Sequence, residues 1–257
     1  MKSIFCLVMV IFAANTIGPE KAWSIKPAEI QVARKVKDVV IYNDARFHSA
    51  FPSVVKARNG ELLVAFRRAP DRNIFGEPGT NHVDPNSYLV MVRSKNGENW
   101  TKEPELIYAH PFGGSQDPCL LKLRDGTLLC TSYGWAFVRP SGVQNLIKPY
   151  FAANNDAFFL GGYLLRSFDN GKTWQGPVYP PHIGQEIHYS ALGVPLPAYN
   201  RGALYEGKSG RIFWVVAATD SELPKKTSNY LLVSDDKGLT WNYSGLVASD
   251  EKASFNE

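Results

Sequence analysis

The feature that most restricts this chain is a block of residues that recurs three times. Each block holds an apolar strand, a polar turn closing on glycine, and a second apolar strand. After a stretch of variable length come a third apolar strand, a polar corner ending on tryptophan, and a short fourth strand. The first copy has Phe51–Val55, the turn Arg58-Asn59-Gly60, Leu62–Phe66, Tyr88–Val92 and Trp100. The second has Pro118–Leu121, Arg124-Asp125-Gly126, Leu128–Cys130, Tyr163–Arg166 and Trp174. The third has Gly202–Tyr205, Lys208-Ser209-Gly210, Ile212–Val216, Tyr230–Val233 and Trp241.

Asn-Gly and Asp-Gly between apolar runs are strong hairpin signals. Beyond the first residues no long 3.6-residue apolar period appears, which excludes a helical domain. Four antiparallel strands per repeat is the pattern of a propeller blade. The repeats place blades at about 46–110, 111–181 and 195–250, with the start of another at 253–257 and a lead-in segment at 23–43. The stretch from Gly134 to Gly161 reads as a long loop interrupting the second blade.

The polar corners have a physical logic. Two are complete, Ser167-Phe168-Asp169-Asn170-Gly171-Lys172-Thr173-Trp174 and Ser234-Asp235-Asp236-Lys237-Gly238-Leu239-Thr240-Trp241. The Asp side chain accepts backbone N–H groups of its own turn, the Gly supplies a positive φ, and the Trp folds back as an apolar plug. The first copy, Ser94 to Trp100, is one residue shorter and lacks the Asp.

The chain begins with Lys2 and an apolar run from Ile4 to Ala14, too short to span a bilayer. This predicts an export signal within residues 1–22, cleaved between Ala13 and Ala22, and a periplasmic or extracellular protein. No later stretch is apolar and long enough to cross a membrane as a helix. The net charge of +4 comes without a Lys/Arg run and gives no nucleic-acid signature. Cys6 falls in the signal. A two-residue turn at Asp125-Gly126 pairs Cys119 with Ser132 and Leu121 with Cys130, which makes Cys119 and Cys130 diagonal neighbours, poorly placed for a bridge. Two buried thiols are expected. Metal-ligand spacing, a Gly-rich phosphate loop and a Gly-x-Ser-x-Gly elbow are absent from the sequence, so no cofactor is expected.

The corners resemble the Asp-boxes, or BNR repeats, of the sialidase (neuraminidase) superfamily, and the resemblance covers about residues 46–257. It implies an all-β, six-bladed propeller, of which this chain supplies about three blades and is the amino-terminal part. It implies an exo-sialidase-like glycoside hydrolase that removes terminal sialic acid or a related acidic sugar from a glycan or glycoconjugate. The same boxes occur in non-catalytic propellers, so a glycan-binding propeller is the alternative. Asp169, Gly171, Trp174, Asp236, Gly238, Trp241 and Trp100 then have structural roles on the rim.

The family's chemistry needs three arginines on the substrate carboxylate, a nucleophilic Tyr paired with a Glu, an acid/base Asp, and an apolar pocket for the N-acyl group. A neutral Tyr avoids the repulsion that an anionic nucleophile would meet beside a carboxylated sugar. The family often carries Phe-Arg-Ile-Pro in its first blade. Here the arginine position is Ala50, and the chain looks like a subset with His48-x-x-Phe51-Pro52 and Phe66-Arg67. The resemblance thus points to Arg67 as a carboxylate grip, with Arg46 and Arg68 behind it, since an arginine fork suits a carboxylate. It points to Asp84 as acid/base, with Asp71 second, and to His82 as a sugar contact. Glu257, in Asn256-Glu257, matches the glutamate that partners the nucleophilic Tyr. That Tyr and the other arginines are expected outside this chain, which is therefore expected to be inactive alone. Gln116 and Asp117 stand at the strand end equivalent to His48–Pro52 and are expected to line the central cleft or form a turn. Tyr133, Trp135 and Phe137 are expected to line an apolar pocket or belong to the core.

Overall fold

A computed structural model describes residues 34–77, 83–153, 156–200, 202 and 204–255. The predicted export signal, His82 and Glu257 lie outside the described residues. A compact unit begins at Val39. It is nearly all β, with three antiparallel sheets. The first orders β1 (Phe47–Lys56), β2 (Leu62–Pro70), β3 (Tyr88–Ser94) and β4 (Glu105–Tyr108) side by side. In the second, β5 (Gly113–Ser115) and β6 (Cys119–Lys122) share one edge of β7 (Leu128–Phe137), followed by β8 (Ala157–Ser167) and β9 (Gln175–Val178). The third orders β10 (Leu204–Glu206), β11 (Ile212–Glu222), β12 (Lys225–Ser234) and β13 (Asn242–Ala248). A one-turn 3-10 helix (Arg72–Phe75) and a one-turn helix α1 (Pro140–Val143) are the only helices among the described residues.

The first hairpin of each sheet closes on the same loop, which is three residues long rather than two. Ala57 donates to the Glu61 carbonyl at 2.8 Å and Gly60 to that of Ala57 at 3.1 Å. Leu123, Gly126 and Thr127 repeat this pattern, as do Gly207, Gly210 and Arg211. The glycines carry φ of +88°, +94° and +89°. A type I turn followed by one left-handed residue accounts for this loop. A two-residue turn of the Asn-Gly type needs positive φ at both positions, and Asn59, Asp125 and Ser209 do not have it. They serve instead as acceptors: Asp125 Oδ1 takes the Thr127 N–H at 2.9 Å, and Asn59 Oδ1 that of Glu61 at 3.2 Å.

The longer loop moves the register by one residue. Cys119 pairs with Thr131, and Leu120 with Cys130, so the two cysteines point to opposite faces. Both are free thiols. The expected long loop from Gly134 to Gly161 is also corrected. Its ends are strand, with Trp135, Ala136 and Phe137 paired to Phe159, Phe158 and Ala157. Trp135, Phe137, Phe158 and Phe159, which looked like loop residues, belong to the ladder.

The polar corners form as their chemistry predicts. Asp169 Oδ1 accepts from Ser167 Oγ at 2.8 Å and from the Thr173 N–H at 2.9 Å, and the Gly171 N–H reaches Ser167 Oγ at 2.8 Å. Asp236 repeats these bonds with Ser234 and Thr240, and Gly238 with Ser234. In the shorter first corner the amide oxygen of Asn96 replaces the carboxylate, accepting from Glu98 and Asn99 at 3.0 and 2.9 Å. The indoles of Trp100 and Trp241 donate to the carbonyls of Gly97 and Gly238. The turn demands two left-handed residues, not one: Asn170 and Lys237 have φ of +60° ahead of their glycines.

The sheets bury their faces against one another. Leu63, Ala65, Leu89 and Met91 of the first meet Leu120, Leu128, Cys130 and Leu165 of the second. The opposite face of the second sheet, with Leu129 and Leu164, meets Ile212, Trp214, Val216 and Leu232 of the third. The outer face of the first sheet, Val64, Phe66, Val90 and Val92, is covered by Ile41 and Tyr42 of the lead-in. Hairpin arginines tie neighbouring sheets at equivalent places. Arg58 donates to the Asp125 carbonyl at 3.3 Å, and Arg124 to the Lys208 and Gly207 carbonyls at 2.8 and 2.6 Å.

Candidate functional site

At the strand ends away from these hairpins, the first two sheets bring buried polar side chains together. The β1–β2 ladder is interrupted between Ala50 and Ser53. There Phe51, which has a Cβ, is held at φ +57°. A left-handed phenylalanine is a costly conformation of the kind that clusters at functional sites. It sets its ring 5.4 Å from the Arg67 guanidinium.

Arg67, on β2, is 0% exposed. Its Nη1 donates to Gln116 Oε1 at 2.8 Å. Gln116 and Asp117 occupy the break between β5 and β6, where the chain leaves the ladder while the Gln116 N–H still bonds the Tyr133 carbonyl at 2.8 Å. The Tyr133 hydroxyl donates to Asp117 Oδ2 at 3.0 Å. Burial pulls the Arg67 pKa down, and the Asp117, Tyr133 and Asp84 charges oppose this. A buried charge is costly without opposite charge nearby, and Asp117 and Asp84 supply that opposite charge.

Asp84 lies beside this group and is 2% exposed. Arg72 forks onto it, Nε to Oδ2 at 2.8 Å and Nη2 to Oδ1 at 3.1 Å. Its loop is fastened to the second sheet by the Ser87 hydroxyl, which lies 2.7 Å from the Ser115 carbonyl oxygen and 2.9 Å from that of Asp84. A Cβ on Gly114 would sit 2.0 Å from the Asp84 carbonyl oxygen, so only glycine permits this approach.

Arg67, Asp84, Gln116 and Asp117 are thus brought together. Arg68 and Arg46 are not. Arg68 is the next residue on β2 and points to the other face, 3.5 Å from the Phe47 ring centroid and near Tyr42 and Tyr88. Arg46 is exposed and forked onto Asp44 at 3.0 and 2.7 Å. Asp71 caps the 3-10 helix by accepting the Asn73 N–H. Tyr133, Trp135 and Phe137 pack with Phe151, Phe159, Leu196 and Tyr199 in one aromatic cluster that adjoins Asp117 through Tyr133.

A second polar group was not anticipated. His188 is 2% exposed and sits between two glutamates, Nδ1 at 2.7 Å from Glu186 Oε1 and Nε2 at 2.5 Å from Glu222 Oε1. Glu186 also accepts the N–H groups of His188 and Thr219. Burial pulls the His188 pKa down, but its bonds to Glu186 and Glu222 outweigh this and raise it overall. The signal was Glu186-Ile187-His188, an acid and an imidazole two apart on an extended segment, hence on one side. Glu222, far along the chain, had no sequence link to them. Among the described residues no cluster of His, Cys, Asp and Glu side chains is arranged to hold a metal ion.

No protein-family model matches the chain, and no curated protein matches it. Among solved structures it is similar to a protein of unknown function from Dyadobacter fermentans, with 72% identity and a TM-score of 0.85. That match covers 87% of this chain and 61% of the other, so the chain spans less than two thirds of that relative's length. At 16% identity and a TM-score of 0.54 it is similar to the Hadza microbial sialidase Hz136, covering 78% of this chain and 38% of that one. The same identity and TM-score relate it to Zg3597, a family 117 glycoside hydrolase from Zobellia galactanivorans, over 81% of this chain and 59% of that one. The fold of the described residues is therefore the fold of sialidases and related glycoside hydrolases.

Proposed function

We propose that the whole protein is an exported glycoside hydrolase of sialidase type that removes a terminal acidic sugar, sialic acid or a relative, from glycoconjugates. The observation that carries this reading is the convergence of Arg67, Gln116, Asp117 and Asp84 at one end of two sheets, under a left-handed Phe51. The fold shared with sialidases supports it. In this reading the three sheets are consecutive blades of a six-bladed ring completed by further chain. Arg67 supplies one arm of the carboxylate grip. Asp84 transfers the proton once substrate draws Arg72 away, and a Tyr from the completing part, paired with Glu257 of this chain, supplies the nucleophile.

A second reading, a non-catalytic glycan-binding protein of the same architecture, is favoured by two facts. Arg67 is fully buried, and both Asp84 oxygens are held by Arg72. Hydrolysis of a fluorogenic sialoside by the whole protein separates the two. The hydrolase reading expects turnover that Arg67→Lys lowers about 100-fold in kcat/KM, a loss of about 2.7 kcal/mol in transition-state binding. It expects none from residues 1–257 alone. Saturable glycan binding without turnover of sialoside or uronide substrates would establish the second reading.

A further inference from the structure

The Glu186–His188–Glu222 group takes no part in the reading above, and two of its members, His188 and Glu222, line a cavity of about 610 Å³. The cavity is also lined by Lys148, Tyr150, Phe151 and Lys225. It shares no residue with the Arg67 group. Glu222 is 47% exposed at its side chain, and its second oxygen has no partner among the described residues. Lys225 Nζ stands 4.5 Å from the Phe151 ring centroid.

The proton count of the group is fixed by its geometry. A neutral imidazole has one N–H and cannot donate to two carboxylates. The group therefore holds either an imidazolium between two carboxylates or a neutral imidazole beside one glutamic acid. Both forms carry one net negative charge. Glu186, anchored by the Thr219 and His188 N–H groups, fixes His188, and His188 fixes Glu222, which would otherwise swing freely at the end of β11. His188 and Glu186 are positioning residues, and Glu222 is the group they present.

The cavity thus offers aromatic surface, one oriented acceptor and two ammonium donors. A purely apolar ligand would leave Glu222 and the lysines without partners. A small inorganic anion would make no use of the rings and would meet the negative group. A ring with an apolar C–H face and a hydroxylated edge matches every part. We propose that this cavity is a pyranose-binding site, with the sugar face on Phe151 and Tyr150, its hydroxyls donating to Glu222, and its oxygens accepting from Lys148 and Lys225.

Isothermal titration of the whole protein with methyl α-D-glucopyranoside, methyl α-D-galactopyranoside and methyl β-D-glucuronide tests this, with the His188 imidazole 15N resonances as a local probe. Saturable binding of at least one sugar is expected, with a shift of those resonances. Glu222→Gln should weaken it about tenfold or more, the scale of a lost hydrogen bond to a charged group, and Phe151→Ala about tenfold through the lost apolar ring contact. Arg67→Lys should leave it unchanged. Preference for the glucuronide, removed by Lys225→Met, would add a carboxylate to the ligand, and equal binding of the three would leave the ring hydroxyls as the recognised groups. Should Phe151→Ala unfold, Glu222→Gln alone decides. Three outcomes overturn the proposal: no saturable binding of any of the sugars, binding that Glu222→Gln does not weaken, or binding lost in Arg67→Lys, which would assign the sugar to the other site.

Discussion

Asp169 shows how one side chain holds a corner of the fold. Burial alone would raise its pKa, but bonds from Thr173 and Ser167 prevail and bring it down to about 2. Asp125 also falls to about 2, chiefly through Lys237, whose Nζ is 2.7 Å from it. A carboxylate whose folded pKa is depressed stabilises the fold above its unfolded value and loses that contribution as pH falls through the folded one. Stability should therefore decline between about pH 4 and pH 2, and Asp169→Asn should flatten the decline in urea titrations across that window. Asp169→Ala, removing several acceptor bonds at once, should cost about 1–3 kcal/mol at neutral pH. The residues of the corners were legible in the sequence because each acts on its own turn. Asn96 was missed as the stand-in for Asp, since an amide oxygen accepts as a carboxylate does. Arg67 and Asp84 were pointed to by the family resemblance, and Gln116 and Asp117 by their place at the strand end equivalent to His48–Pro52. Arg68 and Arg46 stand apart from that group because neighbours on a strand face opposite ways and because an Asp two residues back holds Arg46.

The three hairpin loops, Arg58–Gly60, Arg124–Gly126 and Lys208–Gly210, share one geometry. All three glycines adopt left-handed φ, so alanine at any of them should cost about 1 kcal/mol or more. They are not equivalent, however. A Cβ on Gly126 would meet Arg58 Cδ at 2.7 Å, whereas Gly60 and Gly210 have nothing within 4 Å. Thermal melts should rank Gly126→Ala as more damaging than Gly60→Ala or Gly210→Ala, which should match each other. Gly162→Ala should be worse than all three, because its Cβ would lie 2.2 Å from the Ala198 carbonyl oxygen on β8's neighbouring segment. Strand pairing was readable from apolar runs and turn residues. Register was not, because Asp-Gly suits both a two-residue and a three-residue loop, and the choice is made by backbone twist. The same difficulty hid the ends of β7 and β8, whose glycines and aromatics imitate a loop.

Across the molecule, the contacts that order the sheets run between repeats. Arg124 caps three carbonyls of the next hairpin, so Arg124→Ala should cost about 0.5–1.5 kcal/mol and loosen the third sheet first, visible as faster amide exchange in β10 and β11. The third sheet buries Trp214 and Leu232 completely on one face, while on the other Tyr205 is 62% exposed and Phe213, Val215, Leu231 and Val233 are only half-buried among the described residues. Such a face asks for a covering layer. The architecture was legible because every repeat carries its own copy of the signals. The Glu186–His188–Glu222 group was not, because its members meet only through tertiary packing.

A crystal structure of the whole protein with N-acetylneuraminic acid bound tests the functional reading most directly. The sugar carboxylate should lie within hydrogen-bonding distance of Arg67, with Asp84 freed from Arg72 and turned to the glycosidic position. A sugar bound elsewhere, with Arg67 still enclosed by Gln116 and Asp84 still forked by Arg72, would contradict that reading.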